Sequence, residues 1–365
     1  MSLRSMVAAT VAITALLAGC GGDEARENTF PTSTTDGESA ATITLLTHDS
    51  FLLSEATLAT FTEETGITVE LLAGGDAGTM LNQAILTSDN PIADVLFGVD
   101  NTFLTRALGE DLFVPYESPA LDQVDDGLEL DPEHRVTPVD YGDVCVNYDK
   151  EALAAAGVDP PETLDDLADP RYRGMLVVED PATSSPGLAF LLGTVSAFGD
   201  GDGDGDGGWR TFWEELAAND VLVTPGWEEA YYGAFSGASD TGDRPLVVSY
   251  ASSPPAEVFF AETPPEDAPT GSMSAGCFRQ IEFAGILAGT DHEAEAGLLI
   301  DFMLSETFQE DIPLNMFVFP VIDGVALPEV FVEHAVPVDE PLTLPPDEID
   351  ANRERWIQEW TDLLR

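Results

Sequence analysis

From Thr42 onward, apolar runs of strand length alternate with longer segments of helical period. Thr42 to Thr47 predicts a strand, Ser54 caps a helix that Gly66 ends, and Ile67 to Ala73 predicts a second strand. A helix over Thr79–Thr87, a buried strand over Ala93–Val99 and a helix over Thr102–Gly109 follow. Strands separated by helices imply an α/β fold with a parallel sheet, and ligands on such sheets sit at the carboxyl ends of the strands. Those ends carry His48-Asp49-Ser50, Gly74-Gly75-Asp76 and Asp100-Asn101.

Past Pro138 the run Val139–Tyr148 alternates as a strand and is expected to carry the chain into a second lobe. There the alternation repeats: helices over Lys150–Ala156, Pro186–Phe198, Trp209–Ala218 and Trp227–Phe235, strands over Met175–Glu179, Val221–Thr224 and Leu246–Tyr250. A strand over Cys277–Ile286 is expected to return the chain to the first lobe. One long helix over Glu293–Glu310 and an amphipathic helix over Asp347–Leu364, with Trp356 and Trp360 on one face, close the chain. The expected parts are 42–138 and 279–365 for one lobe and 139–278 for the other.

The N-terminus reads differently. Arg4, an uncharged apolar run from Met6 to Ala18 and Leu17-Ala18-Gly19-Cys20 form an export signal over 1–19, too short for the ~20 residues a spanning helix needs. Small residues before Cys20 form a lipobox, so Cys20 is expected to carry a lipid that holds the protein to a membrane surface. Residues 20–41 are polar and read as a flexible tether.

Charge narrows the partners. Against 68 Asp and Glu stand 13 Lys and Arg, a net charge of -55, with Lys150 the single lysine. This surface repels nucleic acid and anionic lipid, and its self-repulsion is tolerable where salt screens it. GxSxG, Walker A and SxxK motifs are absent, the four histidines lack zinc spacing, and with so many carboxylates an acid–base pair has no meaning by proximity alone. No enzyme, no cofactor and no metal site is expected. The Asp-Gly run from Asp200 to Asp206 imitates a calcium loop, but Thr211 stands where the bidentate Glu belongs. Cys145 and Cys277 are free to pair in an oxidising compartment.

Loops at strand ends hold the candidate chemistry: Asp180–Gly187, Pro225–Tyr231 and Val248–Pro254, rich in hydroxyls, glycine and aromatics. Ser184 and Ser185 precede a helix whose free N–H groups suit a phosphate or carboxylate, and Trp227 and Tyr250 suit a flat ring or a cation. Taken with His48–Phe51, Ala93–Asn101, Asp140-Tyr141-Gly142, Ser249-Tyr250 with Ser252-Ser253-Pro254, and Ala351–Trp360, the series resembles, in order over about 43–365, the thiamine-binding proteins of bacterial ABC importers.

The resemblance implies a two-lobed type II periplasmic-binding-protein fold with a ligand cleft between the lobes, closing as a monomer on thiamine or its phosphates and serving an ABC permease. It implies an acidic ligand contact at Asp76 and further contacts at Ser184, Ser185, Trp227, Tyr250, Ser252 and Ser253. Tyr141 is a further candidate near the crossing strands. His48 stands where the family commonly has tyrosine, and Phe317 where tryptophan is expected. Tyr231-Tyr232 resembles the adjacent tyrosines of iron-binding relatives, with Tyr232 expected to be a packing residue. A polyamine, or the different roles of surface hydrolase or adhesive lipoprotein, are the remaining alternatives.

Overall fold

A computed structural model describes residues 41–201 and 208–364. The export segment, Cys20 and the tether up to residue 40 lie outside the described residues, as do Asp202, Asp204 and Asp206 of the calcium-like run. The strands are β1 (Thr42–Thr47), β2 (Thr68–Ala73), β3 (Val95–Asp100), β4 (Phe113–Val114), β5 (Thr137–Asp149), β6 (Leu176–Glu179), β7 (Leu222–Thr224), β8 (Leu246–Tyr250), β9 (Thr270–Ser272), β10 (Phe278–Leu287) and β11 (Phe319–Pro320). The helices are α1 (Glu55–Thr65), α2 (Ala77–Leu86), α3 (Leu104–Gly109), α4 (Lys150–Ala156), α5 (Leu164–Leu167), α6 (Ser185–Phe198), α7 (Gly208–Ala218), α8 (Pro254–Phe259), α9 (Glu293–Met303), α10 (Glu306–Asn315), α11 (Glu329–His334) and α12 (Pro346–Leu364).

Local chemistry fixes many of these ends. Ser54 accepts from the Thr57 N–H to start α1, and Gly66, at φ 75°, ends it in the left-handed region that glycine enters without cost. Two expectations fail for local reasons. The long helix is two, because the Ser305 hydroxyl accepts from the Phe308 N–H and starts α10 afresh. The segment expected as a helix from Trp227 is a π-helix over Glu229–Ala234, in which the Phe235 N–H reaches back to the Ala230 carbonyl.

The sheet runs β2-β1-β3-β10-β5-β8-β6-β7, with β4 beside β10 and β9 and β11 beside β5. Each flank is parallel as expected: β1 with β2 and β3, β6 with β7 and β8. The middle corrects the expectation of a parallel sheet. There β10 and β5 pair antiparallel with each other and with β3 and β8, since they carry the chain between the flanks in opposite directions. Leucine, isoleucine, valine and phenylalanine make up most of the two main bodies of the core, and buried tryptophans belong to one of them. Trp356 and Trp360 of α12 are buried, Trp360 lies edge-on to Trp213 of α7 at 5.4 Å, and Arg353 lies over Phe103 beside α3, so the last helix clamps both flanks.

Cys145 on β5 and Cys277, the residue before β10, form a disulfide. It closes a loop with a sequence separation of 132, long enough that reduction removes about 2–5 kcal/mol of stability. Urea unfolding with and without reductant is expected to show this loss, with no free thiol at either residue before reduction. A free thiol titrating at both positions in the unreduced, unfolded protein contradicts the bond.

Candidate functional site

A cavity of about 410 Å³ opens where the ends of β1 and β2 face the start of α6, the π-helix and the end of β8. That volume suits a drug-sized molecule. Its aromatic wall is Trp227, Tyr231, Tyr232, Tyr250, Phe260 and Phe317, and its acids are Asp49, Asp76, Glu228 and Glu282, with His48 among them.

Asp76 joins the two sides. It caps α2, where Oδ1 accepts from the Ala77 N–H at 2.7 Å. The same oxygen accepts from the Ser185 N–H at 3.0 Å across the cleft, and Oδ2 accepts from the Trp227 N–H at 3.0 Å. Burial raises the pKa of this carboxyl above the ordinary range, and the Trp227 and Ser185 donors oppose that shift. The start of α6, read as suited to a phosphate or a carboxylate, holds the carboxylate of Asp76, an anion that its N–H groups and dipole favour.

Two glycines make room for rings. Gly98 has φ 100°, and a Cβ there would stand 2.4 Å from His48 Cδ2; a Cβ on Gly142 would stand 2.7 Å from Tyr250 Cδ1. Burial alone would make His48 less basic, but Glu282 at 3.6 Å, with Asp76 and Asp49, leaves it more basic than an ordinary histidine. Tyr250 donates its hydroxyl to Gln280 Oε1 at 2.9 Å, and Gln280 Nε2 donates to Ser185 Oγ and to Asp100 Oδ2, both at 2.6 Å. Trp227 is held by its Nε1–H on Ser249 Oγ at 3.0 Å and by a stacked Tyr231 at 4.9 Å; Ser249 in turn meets Ser253.

Seven of the ten sequence candidates line the cavity: His48, Asp76, Ser185, Trp227, Tyr250, Ser253 and Phe317. Ser184 and Ser252 are fully buried behind it. Tyr141 faces a second hollow, stacked on Phe319 at 5.4 Å with Arg279 over its ring, because it points to the other face of β5. Tyr232, expected to be a packing residue, is half exposed on the cavity wall while Tyr231 is the buried partner; the π-turn sets their directions. Glu282 escaped the sequence reading, although Gln280 and Glu282 are polar at a spacing of two, on one face of a strand whose second half is apolar. In the calcium-like run, Asp200 is bonded to Trp209, Arg210 and Arg355.

The family model for the bacterial extracellular solute-binding protein matches residues 90–352. The chain belongs to that family. The thiamine-binding periplasmic protein of Salmonella typhimurium is 32% identical over 324 residues, covering 87% of this chain and 92% of that protein. A solved periplasmic thiamin binding protein superposes with a TM-score of 0.77 at 29% identity, covering 89% of this chain and 96% of that one. Iron uptake protein A1 of Synechocystis is 26% identical over 86% of this chain and 83% of its own length. The fold of this solute-binding protein is therefore the two-lobed type II periplasmic-binding architecture, with the cavity in its cleft. No helix among the described residues is long and apolar enough to cross a membrane.

Below the cavity floor, Asp140 of this solute-binding protein is fully buried, and burial with the nearby Glu282 raises its pKa well above the ordinary value. The folded state therefore keeps a proton that the unfolded chain gives up at about pH 4, so this residue costs more stability as pH rises above that value. Asp140→Asn is expected to stabilise the ligand-free protein by ~1–3 kcal/mol at pH 8 and by less at pH 4.5. Thermal melts at both pH values check this, and equal destabilisation at both contradicts it.

Proposed function

We propose that this solute-binding protein captures thiamine outside the cytoplasm and delivers it to the permease of an ABC importer, without covalent chemistry. The observation that carries this is the meeting, in one cavity, of Trp227, Tyr250 and two further tyrosines with the carboxylates of Asp76 and Glu282. Thiamine has a fixed positive thiazolium ring, a flat aminopyrimidine and a hydroxyethyl arm. Aromatic faces suit both rings, with cation–π attraction worth ~0.5–2 kcal/mol per contact, and the serines suit the polar groups. The similarity to thiamine-binding periplasmic proteins supports the same ligand.

Capture would proceed by closure of one lobe (42–138 and 279–365) on the other (139–278), flexing β5 and β10 while α12 leans on both. Ligand that binds the closed form better shifts the population toward it. A lipid on Cys20 would keep the protein, as a monomer, near its permease. Phosphorylated thiamine fits less directly in this arrangement, since Asp76 occupies the Ser185 N–H. Iron has less support: the Tyr231 hydroxyl is buried and donates to Glu257 at 2.9 Å, leaving Tyr232 as the exposed phenol of the pair.

Isothermal titration with thiamine, thiamine monophosphate, spermidine and ferric ion separates these ligands. Saturable binding of thiamine is expected, and Trp227→Ala is expected to weaken it about tenfold. Binding of spermidine or ferric ion with none of thiamine contradicts the proposal.

A further inference from the structure

Three adjacent strands place a carboxyl group at the same level. In the antiparallel ladders Glu282 of β10 stands directly opposite Asp100 of β3 on one side and Asp140 of β5 on the other. Directly opposed residues of such ladders share a face, so the three side chains form one row, an arrangement that like charges make costly. Asp100 and Asp140 are fully buried, whereas Glu282 reaches the cavity.

Their partners differ. Asp100 accepts from the Thr102 N–H and hydroxyl, the Phe103 N–H and Gln280 Nε2. Among the described residues, Asp140 meets no donor other than the carboxyl of Glu282, so it points an otherwise unpartnered group at the one acid of the row that lines the cavity. The ionisable groups around Glu282 are His48 and Asp49 after β1, Asp76 at the start of α2, Asp100 on β3, Asp140 on β5 and Tyr250 on β8. One imidazole is the only basic side chain among them. A buried group of this composition holds protons in place of the missing positive charge, and burial does push Asp100 up to about 7.

We infer that Glu282 selects the charge of the ligand: its carboxylate pairs with the fixed cationic ring, and the acidic row gives up a proton to solvent as the ring enters. This rests on the thiamine reading of the cavity. It adds a specificity residue that the abundance of carboxylates conceals in the sequence, and it makes capture of the cation coupled to proton release. A neutral ligand of the same shape supplies no charge to replace the proton and gains nothing from Glu282.

The test is isothermal titration of the full chain near pH 7 in two buffers of different ionisation enthalpy. The ligands are thiamine and its neutral aminopyrimidine half. The wild-type protein is expected to release protons on binding thiamine, to bind it more tightly as pH rises through this range, and to release none with the neutral half. Glu282→Gln is expected to weaken thiamine roughly 10- to 100-fold and to leave the neutral half within about twofold. A wild-type protein that binds thiamine without releasing protons overturns the inference and needs no variant to do so. Equal weakening of both ligands in a variant whose thermal melt matches wild type assigns Glu282 a structural role and overturns it as well. Failure of the wild-type protein to bind thiamine removes the functional reading itself.

Discussion

The carboxylate of Asp76, accepting backbone N–H groups from Ala77, Ser185 and Trp227, is the contact on which the shape of the cleft depends. A carboxylate taken out of water is stable only when hydrogen-bonded, and these three donors come from three separate places in the chain. One belongs to its own helix, one to the start of α6 and one to the turn after β7. Satisfying all three draws the opposing walls together and sets Trp227 against Ser249 and Tyr231. Nearby, the Gly78 N–H donates to the Thr183 carbonyl at 3.1 Å and Ser50 donates to Glu228 at 3.1 Å, so the same closure is held at neighbouring points.

Charge acts at two ranges. The net charge of -55 draws cations toward the surface over a distance set by salt, ~8–10 Å at ordinary ionic strength. Inside the cleft screening is weak, so the carboxylates of Asp49, Asp76, Glu228 and Glu282 that line the cavity act at short range. The overall acidity therefore says little about the ligand, while backbone geometry places Asp76 and Glu282 at the cavity.

Local signals were legible wherever a short stretch decides the outcome. The Ser54 cap, the Gly66 stop and the strands at Thr42 and Leu246 depend on neighbours in sequence, and they stand where the pattern put them. The break before Ser305 was missed because apolar periodicity continues across it, although the serine is itself a start signal. The direction of Tyr232 was hidden by a π-turn, which shifts every later side chain around the helix axis. The antiparallel middle of the sheet and the row of Asp100, Glu282 and Asp140 were out of reach for a different reason. They are created by pairing between residues far apart, and no window of sequence contains them. Tyr141, Ser184 and Ser252 lie in the right strand and loops, but Tyr141 faces the second hollow and the two serines are fully buried outside the cavity lining.

A crystal structure of the protein grown with thiamine tests the account most directly. It predicts ligand density in the cavity beside Trp227 and Tyr250, the cationic ring near Glu282, and Asp76 still accepting from the Ser185 and Trp227 N–H groups. Thiamine bound outside this cleft, or bound within it while Asp76 has let go of both donors, would contradict the claim that this carboxylate builds the site.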